Sequence, residues 1–179
     1  MSGTLKITYL ALLLTFAVVI HAVETLFPLP IPLPGAKLGL ANVITLLTLR
    51  LYGLGSGLVI AGGRSILSSF FTGKFLGPGF MMSLTAGTIS CVAMYLLFKM
   101  ERRGNISIIS VSVTGAVLHN VTQLTVAAII LQNSLLLQGY APFLILIAIP
   151  TGVFTGLAAH YLEELTTRNL KTLRPTINS

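Results

Sequence analysis

The sequence is poor in charge, and above all in negative charge. Charged residues make up 8% of its 179 positions, and its four acidic residues are all glutamates, so that no aspartate occurs. Soluble domains carry charge on about a quarter of their residues. With a hydrophobic fraction of 54% and a mean hydropathy of +0.93, this scarcity excludes an ordinary soluble domain and places the chain in a lipid bilayer.

Other absences exclude particular kinds of site. The single cysteine, Cys91, cannot form an intramolecular disulfide, and three histidines without any aspartate make a carboxylate-rich metal site hard to build. No G-x-x-x-x-G-K-[ST] string occurs, so the chain cannot hydrolyse ATP through a P-loop by itself. We therefore expect no metal and no cofactor, and any ATP-driven role needs a partner. The basic residues are scattered between apolar runs, which argues against nucleic acid as a ligand.

The apolar runs predict an all-α integral membrane protein, a compact bundle of about six transmembrane helices that forms a single domain. A bilayer span needs about 20 apolar residues. The second and third runs are short, so they are also compatible with re-entrant or tilted helices. The predicted spans are residues 5–27, 38–52, 55–71, 80–98, 107–131 and 142–162, with a cytoplasmic tail at 163–179.

The distribution of basic residues predicts the orientation of this bundle. With six spans the two termini share a side, and that side collects most of the lysines and arginines, whereas the opposite side has only Lys37 and Lys74. The positive-inside rule then puts both termini in the cytoplasm. The proline-rich segment 28–35 becomes a stiff outer loop, which we expect to close over a pocket as a lid.

Three polar side chains stand out in the first and third predicted spans. Arg64 lies near the middle of its span, where an uncompensated charge is costly, and its guanidinium suits a carboxylate or a phosphate ligand. An internal salt bridge from Arg64 to Glu24 is equally consistent with the sequence. His21 and Glu24 lie three residues apart on one helical face and could instead pair with each other.

The fifth predicted span carries a polar arc. At about 100° per residue, His119, Asn120 and Gln123 point in one direction. Such an arc either joins helices or lines a cavity, and three hydrogen-bonding groups together favour the cavity. Asn42 and Thr45 in the second span could complete the same pocket from its outer end.

Two further patterns each allow two interpretations. Lys37 and Lys74 lie in glycine-rich outer loops and are either anion-binding residues at the mouth of a pocket or ordinary solvated lysines. Small residues recur at every fourth position of the third span, which predicts close helix packing inside the bundle or contact with a partner protein. These small residues are Gly53, Gly57, Ala61, Ser65, Ser69 and Gly73.

The string P-G-A-K-L-G-L-A-N at 34–42, with T-G-K-F at 72–75 and the residues His119, Asn120 and Gln123, resembles the Gx transporter family. That family is also labelled heptaprenyl diphosphate synthase component I, and the resemblance covers nearly the whole chain. Its members look like the S components of energy-coupling-factor (ECF) transporters. The resemblance implies a small six-helix protein of the bacterial cytoplasmic (inner) membrane that captures a solute outside and is driven by a coupling subunit with two ATPases.

The two family labels imply different partners. S components carry an A-x-x-x-A strip in the first helix for docking the coupling subunit, and the corresponding residues here are Ala11 and Thr15, so the motif is degenerate. Prenyl diphosphate synthases resemble one another in D-D-x-x-D motifs that hold Mg²⁺, which a chain without aspartate lacks. The synthase label therefore implies at most an accessory subunit, and we expect no enzyme activity from this chain alone.

The expected function is that of a transporter component that binds a small amphipathic, anionic solute similar to an isoprenoid or quinone precursor. The alternative is a non-catalytic membrane subunit of heptaprenyl diphosphate synthase, which would hold a soluble prenyltransferase through the basic inner loop 99–103. Expected partners are thus the solute, membrane lipid, and either the coupling subunit or the prenyltransferase. The expected solute-binding residues are Glu24, Lys37, Asn42, Arg64, Lys74, His119, Asn120 and Gln123.

Overall fold

The fold was obtained as a computed structural model, which describes residues 3–26, 39–101, 104 and 106–173. All the regular secondary structure of this described part is helical. Its helices are α1 (Gly3–Leu26), α2 (Asn42–Tyr52), α3 (Leu54–Phe71), α4 (Pro78–Glu101), α5 (Ile108–Ile130) and α6 (Leu135–Leu173).

The surface of the bundle is apolar, as a lipid environment requires. Large side chains such as Phe16, Phe71 and Phe154 are 59%, 79% and 62% exposed. Soluble proteins rarely expose contiguous apolar patches of this kind, whereas lipid chains solvate them. Five of the described helices are long and apolar enough to cross a membrane, and α2 is shorter. The prediction of an all-α, multi-pass integral membrane bundle is confirmed.

Helix α2 forms the centre of the bundle. Its residues 42–49 are all buried, and it packs against α1, α3, α4 and α6. With 11 residues it is about 16 Å long, too short to span the hydrocarbon layer alone. A short helix is tolerated at this position because protein, rather than lipid, surrounds it.

The turn that precedes α2 lies inside the bundle. Gly39 has a φ of +77°, and its carbonyl accepts a hydrogen bond from the amide of Asn42 at 2.8 Å. The amide of Val43 donates to the carbonyl of Leu40 at 3.1 Å, and Ala41 is fully buried. The helix therefore begins four residues after the predicted start of this span at residue 38, because the chain first makes this turn.

Helix α6 is longer than the predicted last span at both ends. It has 39 residues, which correspond to about 58 Å, and it contains Pro142 and Pro150. We predicted a span starting at Pro142, but the helix begins seven residues earlier, at Leu135. It also continues through residues 163–173, which were predicted as a tail. A helix of this length exceeds a hydrocarbon layer of about 30 Å and projects beyond it.

Contacts at one face of the bundle establish the relative direction of the helices. The Lys6 ammonium lies 5.8 Å from the centre of the Tyr52 ring, so the start of α1 meets the end of α2. At the same face Arg50 of α2 binds Glu101 at the end of α4 and Glu163 of α6. Both described ends of the chain therefore lie toward one face, and its assignment to the cytoplasm stays a prediction.

The small residues of α3 face the interior. A Cβ atom at Gly57 would lie 2.6 Å from Leu49 Cδ2 and 3.1 Å from Cys91 Sγ. Ala61 and Ser65 are 0% and 1% exposed. The strip thus lets α3 approach α2 and α4 closely, which is the packing role predicted from its spacing.

Candidate functional site

Arg64 is the largest of the most deeply buried side chains in the described part of the protein. It is 1% exposed and lies seven residues before the end of α3, about 10 Å along the helix axis. Its Nη2 donates a hydrogen bond to Asn42 Oδ1 at 2.7 Å, while Nε and Nη1 have no hydrogen-bond partner among the described residues. Gly87 of α4 lies beside the guanidinium, since a Cβ there would be in ordinary van der Waals contact with Nη2 at 3.5 Å.

Glu24 does not neutralise Arg64 through an ion pair. Its Oε1 accepts a hydrogen bond from the backbone amide of Leu40 at 2.9 Å, while Oε2 has no partner within the described residues. Every ion pair within 4.0 Å in the described part of the chain involves another glutamate. The predicted salt bridge between these two residues is therefore not formed, and the neutral Asn42 is the residue that contacts the guanidinium.

The polar arc of α5 lies next to the buried turn at Gly39. On its other side this turn adjoins Asn42, the hydrogen-bond partner of Arg64. Gln123 Nε2 lies 3.2 Å from His119 Nε2, and both side chains are at most 2% exposed. A Cβ at Gly39 would lie 3.2 Å from His119 Cδ2 and 3.0 Å from Asn42 Nδ2. The backbone of Gly39 thus separates His119 from Asn42, which itself binds Arg64.

Asn120 departs from the predicted arc. Its Nδ2 donates to the carbonyl of Leu144 in α6 at 3.2 Å. It therefore joins α5 to α6, which is the helix-joining role that the sequence also allowed for such polar residues. Its neighbours His119 and Gln123 bond to each other instead.

Two buried hydroxyl groups flank the Arg64–Asn42 pair. Thr45 follows Asn42 by three residues on α2, and Ser68 follows Arg64 by four residues on α3. They are 0% and 1% exposed, and neither Oγ atom has a hydrogen-bond partner among the described residues. Ser68 was not predicted as a site residue, although its spacing from Arg64 places both on one helical face. We call the set Arg64, Asn42, Thr45 and Ser68 the donor cluster.

Two positive features contribute to the electrostatic environment of the donor cluster. The guanidinium of Arg64 carries a full positive charge, and the amino-terminal end of α2 at Asn42 adds a partial positive charge. The N-cap residue Ala41 offers no side-chain acceptor to this helix end. Glu24 offsets the charge in part, but it leaves the unpartnered hydrogens of Arg64 available.

The two predicted lysines are not part of this arrangement as described. Lys74 is exposed in the turn that follows α3, ten residues beyond Arg64 along the chain. Lys37 and the predicted proline-rich lid lie outside the described residues. Among the described residues, the positive charge of the donor cluster therefore comes from the Arg64 side chain and not from a loop lysine.

The predicted docking residues lie on the surface of α1. Ala11 and Thr15 are both exposed, and Thr15 Oγ1 donates to the Ala11 carbonyl at 2.9 Å. The hydroxyl is thereby satisfied within its own helix and presents mainly its methyl group to the surroundings. This face is accessible to another helix in the membrane.

A groove lies at the face of the bundle that carries Arg50. It encloses about 350 Å³. Its charged groups are already paired: Arg50 with Glu163, and Arg168 with Glu164. No group of three or more metal-ligating side chains occurs within the described part of the chain. The residues lining this groove are Arg50, His160, Glu163, Glu164, Thr167 and Arg168.

A family model described as heptaprenyl diphosphate synthase component I matches residues 13–162. The chain belongs to the heptaprenyl diphosphate synthase component I family. No curated protein matches it at a significant level. Among solved structures, a protein described as the S component of a bacterial ECF transporter has a TM-score of 0.50 and 21% identity to this component I family member. The alignment covers 93% of this chain and 97% of that one, and at this identity the likeness is one of fold.

Proposed function

We propose that the protein is the membrane-embedded solute-binding component of a transporter and that its solute is a small amphipathic anion. The observation that carries the proposal is Arg64, a fully buried guanidinium whose contact is the neutral Asn42 and whose Nε and Nη1 hydrogens have no partner among the described residues. Leaving such a group unpaired is costly, and an anionic ligand would remove that cost.

The helices that carry the donor cluster also carry buried apolar side chains, which supports an amphipathic solute. Ile44 of α2 and Ile60 of α3 are 5% and 0% exposed and pack with Ala17 of α1. Met82 and Leu124 belong to a second apolar group between α4 and α5. A solute with an anionic head and a short hydrocarbon tail, such as an isoprenoid or quinone precursor, matches a bundle that buries both a polar cluster and these apolar groups.

The fold supports the transport role and the need for a partner. A solved structure with a similar fold is described as an ECF transporter S component. Because the sequence has no P-loop, uptake would require a coupling subunit with ATPases, and the exposed Ala11–Thr15 face of α1 is the proposed contact. We place the protein in the bacterial inner membrane with both termini cytoplasmic, so that the donor cluster and the exposed Lys74 lie toward the outer face.

Equilibrium binding to the detergent-purified protein tests the proposal. We expect geranyl diphosphate and geranoate to bind and the uncharged geraniol to bind far more weakly. Arg64→Gln should weaken binding of both anions by about 10-fold to 100-fold, since a hydrogen bond to a charged group contributes about 1.5–3 kcal/mol. Arg64→Lys should retain part of the affinity, because it keeps the charge and loses the planar fork.

Arg168→Gln is the matched control. This arginine is 73% exposed and pairs with Glu164 at the opposite face, so its replacement should leave binding unchanged. Equal binding of geraniol and geranyl diphosphate, or undiminished binding by a folded Arg64→Gln protein, would overturn the proposal.

The family description favours one alternative, in which the chain is the non-catalytic membrane subunit of a prenyl diphosphate synthase. Affinity purification from native membranes in mild detergent separates the two functions. Recovery of a membrane coupling subunit with two ATPases would support transport. Recovery of an aspartate-rich soluble prenyltransferase would support the alternative, with the inner loop 99–103 as its contact.

A further inference from the structure

We infer that Glu24 is a positioning residue of the donor cluster, which acts through the buried turn of residues 39–42 and holds this turn beside Arg64. The inference rests on the proposed function and changes the role of Glu24, which the sequence predicts as a residue that contacts the solute. It depends on a continuous series of hydrogen bonds that connects the end of α1 to the guanidinium.

Glu24 attaches the end of α1 to the turn that precedes α2. It is 7% exposed and lies two residues before the end of α1 at Leu26. Its Oε1 accepts a hydrogen bond from the backbone amide of Leu40 at 2.9 Å, across 16 residues of sequence. A hydrogen bond from a backbone amide to a carboxylate is about twice as strong as one between neutral groups. The carboxylate is therefore a strong point of attachment for the turn.

Hydrogen bonds within the turn connect this attachment to Asn42. The amide of Asn42 donates to the carbonyl of Gly39 at 2.8 Å, and the amide of Val43 donates to the carbonyl of Leu40 at 3.1 Å. Leu40 is thus held at its amide by Glu24 and at its carbonyl by the first turn of α2. A Cβ at Gly39 would lie 3.0 Å from Asn42 Nδ2, so the Asn42 side chain packs tightly against the turn. The position of Asn42 therefore depends on that of Leu40.

Asn42 in turn orients the guanidinium. Arg64 Nη2 donates to Asn42 Oδ1 at 2.7 Å, whereas Nε and Nη1 have no hydrogen-bond partner among the described residues. Because the guanidinium is planar, the bond from Nη2 helps to set the direction of the Nε and Nη1 hydrogens. Helices α1 and α3 pack against each other, so Glu24 and Arg64 hold the same turn from two neighbouring helices. A displaced turn would redirect the hydrogens that we assign to the anion.

The charge of Glu24 is unsuited to direct contact with an anion. A carboxylate repels a negatively charged solute, and Oε1 already accepts from the Leu40 amide. The negative charge also offsets part of the positive charge of Arg64, which holds the other side of the same turn. Glu24 thus has two effects of opposite sign on anion binding. Its hydrogen bond positions the donors, and its charge weakens the attraction between those donors and the anion.

Two uncharged substitutions of similar size separate these effects. Glu24→Gln removes the charge and keeps an oxygen that accepts from the Leu40 amide, whereas Glu24→Met removes both. We expect Glu24→Gln to tighten binding of geranyl diphosphate and geranoate by about 3-fold to 10-fold and to leave geraniol binding unchanged. Glu24→Met should bind both anions at least about 10-fold more weakly than Glu24→Gln, as the loss of the hydrogen bond to the turn predicts.

Hydrogen–deuterium exchange of the protein without solute tests the attachment of the turn by itself. The amides of Leu40, Asn42 and Val43 all donate hydrogen bonds within this segment or to Glu24. We expect peptides that cover residues 39–43 to exchange about 10-fold faster in Glu24→Met than in the unmodified protein, because the turn opens more often. In Glu24→Gln the exchange rate should stay unchanged.

Glu164 provides the matched control. Its side chain is 51% exposed and pairs with Arg168 one turn away in the same helix. Glu164→Gln and Glu164→Met therefore make the same chemical changes away from the turn. Neither should change anion binding or the exchange of residues 39–43.

The binding results separate failure of the inference from failure of the proposed function. Equal anion affinities of folded Glu24→Gln and Glu24→Met would overturn the inference alone, and so would weaker anion binding by Glu24→Gln, which would indicate direct contact with the solute. If the unmodified protein bound neither anion, the proposed function would fail and the inference with it. Should Glu24→Met fail to fold, Glu24→Gln decides alone: tighter binding of the anions without tighter binding of geraniol supports the inference, and any other result overturns it.

Discussion

Gly39 is the residue at which the backbone comes closest to the polar cluster. Its φ of +77° costs a residue with a Cβ about 1–2 kcal/mol, and a Cβ there would lie 3.0 Å from Asn42 Nδ2 and 3.2 Å from His119 Cδ2. We expect Gly39→Ala to lower the stability by at least this amount and to weaken solute binding, because both neighbours must move. Thermal unfolding can be followed with a thiol-reactive dye, since the sole cysteine, Cys91, is fully buried.

Gly53→Ala is the matched control for this experiment. Gly53 has a similar φ of +81°, but a Cβ there would have nothing within 4 Å. Its ψ of −174° places it in a region that is essentially restricted to glycine, so it should show a loss of about 1–3 kcal/mol from backbone strain without any loss of solute binding. Equal effects of the two substitutions on binding would show that Gly39 does not shape the site.

At the residue scale, the site residues that the sequence could predict are those whose burial within a membrane costs free energy. Arg64, His119 and Gln123 stand out in apolar runs, and the structure buries all three and connects them through the turn at Gly39. Hydroxyl groups do not stand out in this way, because a helical serine or threonine can bond to its own backbone, as Thr48 does. Ser68 could therefore be recognised as a site residue only from the three-dimensional structure.

At the element scale, the boundaries of the helices were less predictable than their existence. Apolar runs bounded by helix breakers and charges predict the spans, and a proline bounds the last predicted span at Pro142. Helix α6 instead starts at Leu135 and continues through Pro142 and Pro150. Each proline removes one backbone hydrogen bond, a loss that membrane helices tolerate where neighbouring groups compensate.

The contact between α5 and α6 leads to a second prediction. A Cβ at Gly152 of α6 would lie 2.6 Å from Val113 Cα, a backbone atom that cannot move without shifting α5. We expect Gly152→Ala to destabilise the protein by about 1–3 kcal/mol, as overpacked cores do, with a lower midpoint of thermal unfolding. Gly139→Ala in the same helix has nothing within 4 Å and should stabilise by up to about 1 kcal/mol through helix propensity. Similar midpoints for both variants would contradict this close packing.

A third prediction concerns the ion pairs that join three helices at one face. Arg50 of α2 binds both Glu101 of α4 and Glu163 of α6 at 3.0 Å or less, and these side chains are 17–27% exposed. Arg50→Gln leaves two partly buried carboxylates unpaired, so we expect a loss of about 1–3 kcal/mol. Arg168→Gln breaks an exposed pair within one helix and should change the stability by less than about 1 kcal/mol. If the two variants unfolded at the same temperature, Arg50 would not stabilise the contact between α2, α4 and α6.

At the scale of the whole molecule, the two ends of the bundle differ in how their charges are balanced. At one face, Arg50 and Arg168 are each paired with glutamates, so their positive charges are balanced by neighbouring carboxylates. Toward the other face, Arg64 has hydrogens without partners among the described residues and lies about 10 Å from the end of α3. This asymmetry suits a binder that receives a solute from one side, with available donors toward the entrance and paired charges at the opposite end.

The orientation of this asymmetry in the membrane is a prediction that two positions near the ends of α6 can test. Ser134 and Thr167 are exposed and lie 33 residues apart, about 50 Å along a helix, so they are on opposite sides of a hydrocarbon layer of about 30 Å. In a Cys91→Ala background, Ser134→Cys should react with a membrane-impermeant maleimide in intact cells. Thr167→Cys should react only after permeabilisation. The reverse pattern would place Arg50 outside and the donor cluster toward the cytoplasm, and capture of a solute from outside would then be abandoned.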